Sequence, residues 1–162
     1  MVVIPKQRQR EATAYHEAGH AVACYVFKHQ IKKVSIIPGE GYQGKLHSSG
    51  LPEDLVERIV QRENLSPEEE KLLWEKTIIS LAGPASECLF TGVYNWRGSM
   101  SDRSKANAFA APLDLTGKDF DEQAKELMYS NWKKVEDVAQ ALLEKQTLTA
   151  QQVHEICENL IG

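Results

Sequence analysis

Five consecutive residues, His16-Glu17-Ala18-Gly19-His20, constrain this chain more than any other part of it. They lie within Gln7 to Lys28, where Ala12, Tyr15, Ala18, Val22, Tyr25 and Val26 recur at three- and four-residue intervals. That is the period of a helix with an apolar face. Residues four apart on a helix share a face, so both imidazoles can reach one ion. The fold must therefore bury this helix and still bring two histidines to one point.

The pattern is HExxH, and its chemistry follows from its spacing. Two imidazoles hold a zinc ion, and Glu17, beside them, can take a proton from the attacking water. The metal acts as a Lewis acid on a scissile carbonyl and lowers the pKa of its water to about 7. Two histidines on a half-buried helix can also be ordinary packing residues. The apolar helix around them, which would form the floor of a site, favours zinc.

A hydrolytic zinc site takes three protein ligands and leaves a position open. The longer HExxHxxGxxH motif fails here, because Ala23 and Val26 stand where its glycine and third histidine would be. Glu87, His47 and Asp102 are the remaining candidates for the third ligand, and spacing does not choose among them.

Length and charge bound the rest. A domain of 162 residues buries roughly 70% of its unfolded surface, enough core to fix a site without disulfides. We expect one domain spanning 1–162. Nineteen basic and 23 acidic residues give no footprint for nucleic acid and no signature of disorder. Cys24, Cys88 and Cys157 are odd in number, lack CxxC spacing and suit a reducing, cytoplasmic setting. Met1 to Arg10 does not read as a signal peptide. The apolar stretch Ala21 to Phe27 is far short of a membrane span.

After the first helix, Lys33 to Pro38 reads as a strand. Gly39, Gly41 and Gly44 supply turn residues before a second strand, Lys45 to Ser48, making a small antiparallel hairpin. The remainder reads as helical. One helix starts at Leu51-Pro52-Glu53-Asp54. Another starts at Ser66-Pro67-Glu68-Glu69, a strong N-terminal signal, and runs to Phe90, with Gly83-Pro84 as a point of kinking. A loop from Gly92 to Ser99 precedes a short helix from Asp102 to Ala111. Asp119 to Lys145 reads as one long amphipathic helix, and Thr149 caps a last one ending at Leu160. The fold class is mainly α, with the hairpin after the histidine helix.

Gly39-Glu40-Gly41-Tyr42-Gln43-Gly44-Lys45 fits GxxxxGK. A phosphate-binding loop needs a serine or threonine next, then a helix N-terminus. Leu46 follows instead, in a hairpin. Trp96 and Arg97 could line a substrate groove, but core packing or a subunit contact is the simpler account. The neighbours of His29 and His154 suggest surface positions.

The motifs together resemble the peptidase domain of the FtsH family, membrane-bound AAA+ zinc proteases. Thr13 to Val22 is similar to that family's zinc helix, Lys33 to Pro38 to its following strand, and Leu81-Ala82-Gly83-Pro84-Ala85-Ser86-Glu87 to its LAGRxAE helix. Ala141 to Leu148 resembles its closing ALLEKETL segment. The resemblance implies a helical peptidase domain, here without the ATPase module and membrane anchors. It implies zinc ligands His16, His20 and Asp102, the last from Ser101-Asp102-Arg103, with Glu17 as base. It places Glu87 at the family's first LAGRxAE glutamate, a candidate for supporting a ligand. Pro84 and the loop Tyr94 to Ser99 depart from the family's pattern.

The implied activity is hydrolysis of peptide bonds in peptides or unfolded proteins, with the strand beside the zinc helix holding an extended substrate. The implied partners are a separate AAA+ ATPase and further copies of this chain in a homo-oligomer. The rivals are a non-catalytic zinc module for partner binding or assembly, and a zinc hydrolase acting on a non-peptide bond. An intact Glu17 argues against the first, since a structural zinc needs no base.

Overall fold

The computed structural model describes residues 5–38, 47–48 and 50–158. The hairpin turn, the GxxxxGK fragment and the proposed end of the last helix at Leu160 lie outside the described residues. Seven α-helices are described: α1 (Lys6–Val26), α2 (Glu53–Val60), α3 (Pro67–Thr91), α4 (Met100–Ala110), α5 (Asp121–Ser130), α6 (Trp132–Lys145) and α7 (Ala150–Cys157). Short 3-10 turns at Ala111–Leu113 and Gly117–Phe120 join α4 to α5. Among the described residues, no helix is long and apolar enough to cross a membrane.

The helix carrying the histidines is buried on every side, not along one stripe. Every residue from Ala14 to Cys24 is buried. A helix closed all round lies in the middle of a fold, and α1 packs chiefly against α3 and α6. Tyr15 shows the arrangement: its ring stacks on Phe90 of α3 at 4.0 Å between centroids and on Trp132 of α6 at 5.6 Å. Val22, Val135, Val138, Ala139 and Leu142 complete this layer. At the C-terminus of α1, Lys28 takes a left-handed conformation (φ 61°) while the His29 N–H donates to the Cys24 carbonyl, turning the chain into the sheet.

Helix α3 begins as its sequence prescribes. Ser66 Oγ accepts from the Glu69 N–H, and Glu69 Oε1 accepts from the Ser66 N–H at 2.8 Å, a reciprocal cap that satisfies two end donors. Pro84 lies inside the helix, which continues unbroken to Thr91 and ends on Gly92 at φ +86°. The first turn of α7 repeats the device, with Thr149 and Gln152 bonded reciprocally.

The antiparallel pairing expected of the hairpin is present between 31–33 and 47–48, and two expectations need correction. The sheet has three strands in the order β2-β1-β3, with β1 at Ile31–Ser35, β2 at His47–Ser48 and β3 at Thr147–Thr149. The strand β3 pairs antiparallel with β1, Val34 opposite Leu148. A three-residue strand between helices has no period to read, and burial of Leu148 is what holds it. Strand β1 thus pairs with β2 at Ile31 and Lys33 and with β3 from Lys33 to Ser35. The long helix from Asp119 to Lys145 is broken at Asn131, whose N–H and Nδ2 both bond back to the Leu127 carbonyl. The break lets α5 lie on α3 while α6 lies on α1.

The α1–α3 contact depends on small residues. A Cβ on Gly19 would stand 2.5 Å from the Ala82 carbonyl oxygen and 2.6 Å from Ser86 Cβ. Ser86 Oγ in turn donates to the Tyr15 carbonyl at 2.7 Å. Replacing Gly19 by alanine would raise intrinsic helix propensity by about 1 kcal/mol, but the added methyl must push two backbones apart. Overpacking of that kind costs about 1–3 kcal/mol. Gly19→Ala is therefore expected to lower the midpoint of denaturant unfolding despite its better propensity; a raised midpoint would mean the helices separate freely.

Candidate metal centre

His16, Glu17 and His20 come from the buried middle of α1, Glu87 from α3, and Asp102 from the first turn of α4. The structure brings three of them to one point. His16 Nε2 lies 2.8 Å and His20 Nε2 3.2 Å from the same oxygen, Asp102 Oδ2. One ligand atom from each of His16, His20 and Asp102 lies within 4.8 Å of the others, and all three side chains are buried. Glu17, between the histidines in sequence, is 2% exposed.

The other ring nitrogens are used as well. His16 Nδ1–H donates to Glu87 Oε1 at 2.8 Å, and His20 Nδ1–H donates to the Ile79 carbonyl at 2.8 Å. A carbonyl only accepts, so this bond places the His20 proton on Nδ1 and leaves Nε2 to face Asp102. Partners of this kind fix the tautomer and ring direction of metal-binding histidines. Glu87 is thus on the far side of the His16 ring from Asp102. The side chain of His47, the third candidate, lies outside those described.

His20 approaches α3 closely, and Gly83 makes the approach feasible. A Cβ at Gly83 would fall 2.3 Å from His20 Nε2. Sequence reasoning gives neither Gly83 nor the Ile79 carbonyl a place in the site. The LAG segment is visible, but a glycine's emptiness acquires meaning only when its neighbour across the interface is known.

Burial and charge oppose each other here. Burial disfavours protonated His16, yet its bonds to Asp102 and Glu87 prevail and raise its pKa to about 9. Burial likewise pushes Asp102 upward, but its electrostatic interaction with His20 and its contacts with both histidines hold it well below the usual carboxylate range. The cluster keeps an ionised carboxylate against cationic imidazole inside the protein. That donor set, two imidazole nitrogens and one carboxylate oxygen, is the set zinc takes in hydrolytic sites. Ligand atoms about one zinc stand roughly 3.3 Å apart when each lies at about 2.0–2.1 Å, close to the spacings found.

Other residues divide. Trp96 is 65% exposed, so core packing does not account for it. Its ring stands with Tyr94 and is overlaid by the Arg103 guanidinium, which is itself forked onto Asp121 at 2.9 and 3.1 Å. Together with Arg97, Met100, Ser104 and Asn107, Trp96 and Arg103 line a groove of about 420 Å³. His29, expected at the surface, is tucked against Glu75 at 3.0 Å with only 10% of its side chain exposed. His154 packs its ring edge against Tyr25.

Comparisons with known proteins bear on the family of the chain. A family model described as Peptidase family M41 matches residues 3–113, the segment that includes α1, α3 and α4. The chain is 26% identical to an ATP-dependent zinc metalloprotease FtsH of Thermus thermophilus over 197 aligned positions, covering 94% of this chain. It spans only 30% of that relative's length. With the family model matching well over half of its residues, this chain belongs to peptidase family M41.

Proposed function

We propose that this chain is a zinc-dependent metalloendopeptidase that cleaves peptides or unfolded proteins. The observation that carries the reading is the convergence of His16 Nε2 and His20 Nε2 on one oxygen of Asp102. In this reading His16, His20 and Asp102 hold the ion, and Glu87 and the Ile79 carbonyl orient the two rings. Zinc bound there would supply Lewis acidity toward the scissile carbonyl and lower the pKa of the attacking water to about 7.

The chain's own residues supply the proton traffic. Glu17 accepts the proton of the attacking water and delivers it to the leaving amine, one carboxylate acting first as base and then as acid. Its burial, at 2% exposure, excludes bulk water that would otherwise compete for the proton. The burial of all three ligand side chains strengthens each electrostatic contact by lowering the local dielectric. A non-catalytic zinc module for partner binding or assembly would have no use for a buried carboxylate at position 17.

Strand β1 pairs with β2 at Ile31 and Lys33 and with β3 from Lys33 to Ser35. An extended substrate would add to this sheet, beside the zinc helix, by main-chain hydrogen bonds. The relative's name, an ATP-dependent zinc metalloprotease, supports a partnership with an ATPase; we further propose that an AAA+ ATPase feeds unfolded chain to the site and that copies of this chain form a homo-oligomer. A cytoplasmic location fits three free cysteines in a reducing compartment.

Two sets of variants test the proposal. Zinc affinity, read by competition with a chromogenic chelator, should be abolished by His16→Ala or His20→Ala and strongly weakened by Asp102→Asn, since a neutral amide is a poor zinc ligand. Glu87→Gln should cost less, about 10–100-fold. A larger loss from Glu87→Gln than from Asp102→Asn would transfer the ligand role to Glu87.

Chemistry is separated from binding by Glu17→Gln. This variant should keep its zinc while casein cleavage, measured against a chelator-treated control, falls by about two orders of magnitude or more. Parent-like turnover in the variant would exclude Glu17 as the base, and chelator-resistant cleavage by the parent would exclude zinc.

A further inference from the structure

The loop between α3 and α4 is tied to the metal centre through one side chain. Asn95 Nδ2 donates to Glu87 Oε2 at 3.0 Å, while Glu87 Oε1 accepts from His16 Nδ1–H at 2.8 Å. On its other side, Asn95 Oδ1 accepts from the Gly98 N–H at 2.9 Å. A Cβ on Gly98 would lie 2.4 Å from Asn95 Nδ2, so the carboxamide occupies space that only glycine leaves. The Asn95 carbonyl also accepts from the N–H of Ser99 at 3.0 Å, the residue that precedes α4 and the Asp102 it carries.

We propose that Asn95 is a positioning residue for the metal centre. Acting through Glu87, it fixes the ring of His16 and couples that ring to the loop that presents Asp102. The physical need is specific. Glu87 is 8% exposed, and a buried carboxylate requires donors on both oxygens. His16 supplies one and Asn95 the other. Without Asn95, Glu87 Oε2 loses its protein donor, and the carboxylate can rotate away from Nδ1 to find another. The His16 ring would then lose the partner that aims Nε2 at Asp102.

An asparagine at the start of a turn also has a purely local use, accepting a backbone N–H further along. The Gly98 bond is of that kind. Asn95→Asp separates the two roles: its carboxylate still accepts from Gly98, but faces Glu87 with like charge and no donor. The pair Glu87→Gln with Asn95→Asp reverses the polarity of the link. The carboxamide introduced at position 87 then donates through its nitrogen to the carboxylate introduced at position 95, while its oxygen still accepts from His16.

This inference rests on the zinc reading for its functional meaning, so the test has two arms. In the metal-free protein, the ring 15N and Nδ1–H resonances of His16 report the Glu87 bond directly. Asn95→Asp should shift them toward values of a weaker hydrogen bond, and the double variant should return them toward the parent's. In the metal-loaded protein, Asn95→Asp should raise the zinc dissociation constant about 10–100-fold and alter the visible spectrum of the cobalt-substituted site. The double variant should recover most of that loss.

Unchanged His16 resonances in Asn95→Asp, or a double variant no better than Asn95→Asp alone, would overturn the proposal. A parent that binds no zinc through His16, His20 and Asp102 would overturn the protease reading instead, and the metal-free arm would still decide the role of Asn95.

Discussion

The close crossing of α1 and α3 is the constraint on which the rest of the structure depends. Gly19 lies against the Ala82 carbonyl and Ser86, and His20 lies over Gly83. These two glycines let the helices approach until the Ser86 hydroxyl reaches the Tyr15 carbonyl and the His20 ring reaches the Ile79 carbonyl. The apolar layer of α1, α3 and α6 supplies the driving force for burial, but it has no directional preference. The small residues convert that burial into a fixed distance, and the distance places both imidazoles.

Burying the centre carries an electrostatic penalty that the cluster offsets internally. An isolated carboxylate or imidazolium would be expelled from such an interior or lose its charge. Here Asp102 is held ionised by His16 and His20, and His16 is held protonated by Asp102 and Glu87. Each group makes the next one tolerable, so removing any member would leave an uncompensated buried charge, which is strongly destabilising. A divalent cation binding here would meet the Asp102 carboxylate and would displace the His16 proton, since a metal takes neutral imidazole. Stability of the fold thus depends in part on the four side chains that meet at this point.

Helices also divide the labour of placing the site. The rigid pair α1 and α3 carries His16, His20 and Glu87, whereas Asp102 arrives on α4 after a loop. A side chain brought in on a separate element needs its own tether. Arg103, next in sequence to Asp102, is forked onto Asp121 and bonded to the Tyr94 hydroxyl, while Asn95 ties the loop to Glu87. These two anchors, one on each side of the loop–helix junction, fix the approach of Asp102 without large apolar side chains. Trp96 and Met100 are left at the surface as a result.

By itself the sequence determined the local chemistry: a helix bearing His16, Glu17 and His20, the Ser66 and Thr149 caps, and α4 beginning near Asp102. Those features depend on neighbours within a few positions along one chain, so spacing and capping residues suffice to read them. The same local logic could not choose among Glu87, His47 and Asp102, because residues 71 and 86 positions from His16 meet it only through packing. Nor could it find the break at Asn131, where helical propensity runs on and only the need to cover both α3 and α1 turns the chain. The third strand was hidden for a related reason: Thr147 to Thr149 becomes a strand because β1 lies beside it. The roles of Gly83 and Asn95 belonged wholly to the tertiary structure, since an absent side chain and a loop carboxamide acquire function only from what stands opposite them.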